Sequence, residues 1–134
     1  MQVTKYNAKD CVITVKDVYI TGLGEDMVTG GKDEDNSSVS VGAQGDVVVN
    51  KINNDLGTIT ITVQGSSPQK NMLLELCNTG EIFPVWVNNK SIGEKFGGTK
   101  AIMKKTPSLE QGAELSDREF EIQVLDYQVI TTAE

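Results

Sequence analysis

Residues 58–63, Thr-Ile-Thr-Ile-Thr-Val, alternate polar and apolar without a break. Successive side chains of a strand point to opposite faces, so the pattern specifies a strand. Ile59, Ile61 and Val63 share its dry face, and Thr58, Thr60 and Thr62 share its polar one. Residues 46–52 just upstream are β-branched and equally strand-like. Between the two lie Asn53, Asn54, Asp55 and Gly57, residue types that tolerate the backbone angles of a reversal. A β-hairpin over residues 45–63 is therefore expected. A lone hairpin is marginal in water, so more sheet, a helix or a neighbouring chain must complete it.

Other stretches supply more sheet. Residues 11–22 read as a hairpin about Lys16-Asp17, which pairs Val15 with Val18, Ile13 with Ile20 and Cys11 with Gly22. Val12, Thr14, Tyr19 and Thr21 then share its opposite face. Residues 82–88 form a strand with Phe83, Val85 and Val87 on one side, and Pro84 marks a strand start or edge. Residues 101–105 read as a further strand. In residues 117–129 the apolar phase moves from Phe120, Ile122 and Val124 to Leu125, Tyr127 and Val129, which predicts a bulge or bend near Val124–Leu125. Residues 131–134 are expected to fray.

One helix is expected, over about residues 68–79. Ser67 suits the N-cap, Pro68 the first helical position and Gly80 the stop. Its stripe of Met72, Leu73, Leu76 and Cys77 is spaced to cover a sheet, with Leu74 outside the stripe as a candidate subunit contact. Residues 22–45 are rich in Gly, Ser and acids and read as a long loop holding one short strand around residues 39–41. A connection of that length inside a compact domain is functional or disordered rather than filler. The whole reads as a mainly β, single domain of 134 residues.

The chemistry of the chain is sparse. It has no histidine, so the usual general base and the commonest metal ligand are missing. No serine motif and no cysteine with a plausible base supplies a nucleophile. Asp33-Glu34-Asp35-Asn36-Ser37 resembles the opening of a calcium loop, but Ser38 stands at the position that needs Gly and Gln44 at the position that needs Glu. Gly97-Gly98-Thr99-Lys100 inverts the Lys–Thr order a phosphate loop requires. Cys11 and Cys77 are too few for a disulfide framework and read as buried free thiols. Glu119 and Glu121 share a strand face, which reads as solvated or lumenal. No catalytic residue, metal ligand or cofactor site is expected, and the chain reads as a non-enzyme.

Charge narrows the partners. A net charge of −7 and 5% aromatic residues argue against ordinary nucleic-acid binding, which rests on cations and stacking platforms. No apolar run approaches the roughly 20 residues that span a bilayer, and the first residues lack a signal-peptide core, so a cytoplasmic origin is expected.

Six blocks in order carry a resemblance. They are Tyr6-Asn7, residues 19–27 (Tyr-Ile-Thr-Gly-Leu-Gly-Glu-Asp-Met), residues 41–50 (Val-Gly-Ala-Gln-Gly-Asp-Val-Val-Val-Asn), residues 53–63, residues 67–74 and Phe96-Gly-Gly-Thr-Lys-Ala101. The ordered set resembles the tail tube proteins of contractile-tailed bacteriophages, whose architecture is shared by type VI secretion and contractile bacteriocin tubes. The resemblance implies a small β-sandwich or barrel-like fold with one flanking helix. It implies hexameric rings whose inner sheets join in a shared β-barrel, stacked into a tube inside a sheath. Tape-measure, baseplate and terminator proteins are the further partners it implies. DNA would pass through the lumen without specific binding. The implied location is the virion tail, assembled in the cytoplasm of the bacterial host.

On this footing Thr58, Thr60 and Thr62 are expected to face the lumen. Asp33, Glu34 and Asp35, in the loop of residues 22–45, are expected to contact neighbouring subunits or rings. The alternatives are a tail terminator or completion protein, a DNA-free contractile injection tube, and a ligand-binding β-domain. The last would need a concave aromatic-lined site.

Overall fold

The computed structural model describes residue 3 and residues 5–131. A 3-10 turn, Ala8–Asp10, leads into β1 (Cys11–Val15), β2 (Val18–Tyr19), β3 (Leu23–Lys32), β4 (Ser37–Val41), β5 (Val47–Lys51) and β6 (Gly57–Val63). Helix α1 (Lys70–Thr79) follows, then β7 (Phe83–Asn89), β8 (Glu94–Met103), β9 (Arg118–Val124) and β10 (Gln128–Thr131). The chain is mainly β with a single helix among the described residues, as expected.

The large sheet has the order β2-β1-β7-β8-β9-β6-β3, with β10 added on β8. Its alternation decides its shape. Ile13 and Val15 of β1, Val85 and Val87 of β7, Ile59, Ile61 and Val63 of β6, and Phe120, Ile122 and Val124 of β9 are all buried in one cluster. A flat sheet could not bring these faces together, so the sheet folds over on itself into a sandwich. The fold-over runs through β8. Its first half pairs with β7 and β10, and Ala101–Met103 pair with β9. Gly97 sits at this corner with φ +142, and a Cβ there would strike the Val85 carbonyl oxygen, so only glycine fits. The Gly97-Gly98 pair is therefore a sheet corner and no part of a phosphate loop.

The first hairpin forms at its turn end only. Lys16 and Asp17 take φ 52 and 62, the two left-handed positions of a type I′ turn, and Val15 pairs with Val18. Ladder pairing stops at Thr14–Tyr19, with one further bond from the Ile20 N–H to the Ile13 carbonyl, and does not reach Cys11–Gly22. Cys11 and Cys77 are free and half-buried rather than fully buried, and partial burial raises both thiol pKa values. Pro84 falls where the β7–β8 register shifts, which spares the ladder its missing N–H, although β7 itself is an interior strand.

Three expectations are corrected. The hairpin over residues 45–63 does not form: β5 pairs with β4, and β6 lies between β3 and β9. The chain reverses instead at residues 42–46, where the Gly42 N–H bonds the Asp46 carbonyl at 2.8 Å. Residues 53–56 make a local Asx turn, the Leu56 N–H donating to Asn54 Oδ1, and a crossing contact from the Tyr127 N–H to the Asp55 carbonyl. The supposed loop of residues 22–45 is mostly β3 and β4. Glycine misled there: Gly30 is small because the Phe96 ring lies where its Cβ would be. The helix also starts later, at Lys70, with Gln69 at the cap. Ser67 Oγ donates instead to the Thr21 carbonyl, while the Gln69 side chain accepts from the Thr21 N–H and hydroxyl.

The helix ends at Gly80 as expected, and Leu73 and Leu76 point into the core, with Met72, Leu74 and Cys77 half-buried against it. The apolar phase change after Val124 is a turn that carries the chain off β9 and onto β8 as β10. Of the tail expected to fray, residues 132–134 lie outside the described residues.

Candidate functional site

Because Ile59, Ile61 and Val63 are fully buried, Thr58, Thr60 and Thr62 are forced onto the outward face of β6. Register then fixes their neighbours. Thr58, Thr60 and Thr62 stand opposite Gln123, Glu121 and Glu119 of β9, and Thr60 stands opposite Thr29 of β3. Directly opposite residues share a face, so the outward face is a band of hydroxyls and carboxylates. It runs into a groove of about 300 Å³ lined by Glu110, Asp117, Glu119 and Glu121, with Lys105 at its edge. Lys105 reaches Glu121 at 3.9 Å, the only ion pair of this band among the described residues. An exposed contact of that length neutralises little of the surplus negative charge.

Asp33 belongs to the same face. Thr58 Oγ1 donates to its Oδ1 at 2.8 Å, and Gln123 Nε2 donates to its Oδ2 at 3.0 Å. Hydrogen bonds from Gln123 and then Thr58 hold its carboxyl below the usual range, so it stays ionised. Two groups of candidates that the sequence kept apart thus meet at one point. Glu34 and Asp35 are exposed in the turn between β3 and β4 and do not join them.

Beyond that turn β4 and β5 form a two-stranded arm hydrogen-bonded to no other strand. Val39 opposes Val49 and Val41 opposes Val47, so four valines share one face; Ser38, Ser40, Val48 and Asn50 share the other. The four valines are 60–66% exposed. Residues 39–41 and 46–52 are legible as strands, but nothing local pairs them with each other or marks their valines as a shared exposed face. Nor does any local pattern link Gln123 to Thr58.

The face offers hydroxyls, carboxylates and amides but no nucleophile paired with a base. Among the described residues no group of His, Cys, Asp and Glu could hold a metal ion.

The comparisons agree with a structural part. The family model of the bacteriophage PhiTE tail tube protein matches residues 12–130. The chain belongs to this tail tube family, and it is a structural tail protein. A sequence search finds no match among curated proteins. Solved structures with similar folds include the tube-terminating cap of the anti-feeding prophage, at TM-score 0.66 and 11% identity, covering 98% of this chain and 96% of that one. The sheath/tube terminator of the PVC extracellular contractile injection system is similar at TM-score 0.64 and 12% identity, covering 96% and 99%. A chain of its sheath–tube complex in the extended state is similar at TM-score 0.67 and 12% identity, covering 96% and 93%. At these identities the likeness is one of fold.

Proposed function

We propose that this chain is the repeating subunit of the inner tube of a contractile tail. Copies close into hexameric rings, the rings stack, and the sheet carrying Thr58, Thr60 and Thr62 lines the lumen. A sheath surrounds the tube, baseplate and terminator proteins bound its ends, and a tape-measure protein fills it before DNA passes. Assembly takes place in the cytoplasm of the bacterial host.

The observation that carries the reading is the arm. A two-stranded sheet is marginal in water on its own, and this one presents a four-valine face that no described residue of its own subunit covers. A second copy is the partner that tail tube family membership supplies, and Glu34 and Asp35 stand at the root of the arm, where they would approach a neighbour. The hydroxyl and carboxylate band supports the lumenal assignment, because it offers phosphates no cation-rich surface on which to stick.

A terminator that caps the tube is the second reading, favoured by the likeness to two terminator structures that spans nearly the whole chain. Electron microscopy of the concentrated, purified protein separates the two. Long tubes are expected. Isolated rings that never stack would assign the chain to a cap, and monomers at every concentration would remove self-assembly altogether.

A further inference from the structure

The other outward face of the sandwich has a different chemistry. Val85 and Val87 of β7 are buried, so Trp86 and Asn88 point away from the core, on the opposite side of the molecule from Thr60. Register places Tyr19, Thr14, Trp86 and Gly97 in one row across β2, β1, β7 and β8. Gly97 brings no side chain to the row. Asn88 stands opposite Lys95 in the next row. The result is a cleft of about 250 Å³ between Tyr19 and Trp86, with Lys90 and Lys95 on its rim.

We infer that this cleft docks a short acidic segment of a partner polypeptide. The chain carries 19 acidic and 12 basic residues, yet no carboxylate lines the cleft. Among the described residues neither Lys90 nor Lys95 forms an ion pair. The Lys95 ammonium lies 4.8 Å from the centre of the Trp86 ring, a contact that holds the cation in place without neutralising it. A carboxylate entering the cleft meets two unneutralised ammonium groups, one of them seated on Trp86, and its own segment lays apolar stem on the exposed Tyr19.

Size and charge narrow the occupants. Pockets for drug-sized ligands run roughly 300–1,000 Å³, so this cleft suits one or two side chains. Extended polyanions must also approach a chain of net charge −7, which penalises a nucleic acid more than a short peptide. Only the side of a tube on which the cleft lies rests on the tube reading: it faces away from the proposed lumen, toward whatever surrounds the tube.

Trp86 is the only tryptophan, so its emission reports on the cleft directly. The test titrates a short polyglutamate peptide into the full chain at low and high salt. A saturable change in emission is expected, weakened by salt. It should weaken by about tenfold or more in a Lys90→Glu/Lys95→Glu variant, the scale of one lost charge-assisted contact. No emission change overturns the inference. So does an equal response to single-stranded DNA, or a change driven by protein concentration alone, which would make the occupant a second copy. Micrographs of the same samples keep the two proposals apart. Tubes without a peptide response remove only the cleft, and a peptide response without tubes removes only the tube.

Discussion

At the scale of single residues, the least visible determinant in the sequence is Asp126. Its carboxylate accepts from the Thr99 hydroxyl and N–H and from the Lys100 N–H, and so ties the turn after β9 to the corner of β8. Burial works to raise its pKa, but these hydrogen bonds, the Thr99 hydroxyl first, outweigh it and the net shift is downward. A carboxyl whose folded pKa is depressed stabilises the fold above its unfolded pKa, and that contribution fades as pH falls through the folded value. Asp126→Asn should therefore lower the urea midpoint at neutral pH. The gap from the parent should close as pH drops below the ordinary carboxylate range. A gap that stays constant as pH falls well below that range would mean the carboxylate's charge is irrelevant. Nothing local in the sequence marks this residue, because its partners lie 26 and 27 positions away. The two-residue turn at Lys16-Asp17 was legible for the opposite reason: pairing on both sides of it depends only on adjacent residues.

Among elements, legibility follows burial. β6, β7 and β9 each bury one face completely, and each was readable as a period-two pattern. β3 and β4 bury almost nothing, so their strands carry Gly, Ser and acids and resemble loops. Turn chemistry at residues 53–57 marked a change of direction correctly. It could not say which strands pair, because β3 and β9 take the two edges of β6 and leave none for β5. The arm of β4 and β5 is the element whose energetics are least tied to its own subunit. Val49→Asp removes no core contact, so thermal unfolding should stay within about 0.5 kcal/mol of the parent, the usual range for a surface change. If the arm seats its valines on a neighbouring copy, the buried aspartate costs far more in the assembly. The variant should stay a folded subunit by circular dichroism yet form no tubes in micrographs. Normal tubes from Val49→Asp would show that the valine face is not an interface.

For the whole molecule, the two outward faces differ in kind, and the difference comes from strand order. β3, β6 and β9 assemble hydroxyls and carboxylates on one side; β2, β1, β7 and β8 assemble aromatics and lysines on the other. The Thr face was legible from six residues. Glu119 and Glu121 were legible as a shared polar face of their own strand, but its junction with the Thr face, Gln123 and Asp33 was not, since the register joins segments far apart in sequence. What passes along the face rests on family resemblance, and it can be tested through charge. Thr60 lies in the middle of the band, half-buried, opposite both Thr29 and Glu121. Thr60→Lys places a flexible cation there, with Glu121 close enough to moderate its effect on folding. Repeated around every ring of a lumen, that cation would attract the phosphates that the present surface repels. In a phage carrying the substitution, tubes should form normally while genome delivery slows, and raised ionic strength should restore the rate as attraction is screened. Delivery at the parental rate would take Thr60 off the path of the DNA, and failure to form tubes would make this face a contact between subunits instead of a wall.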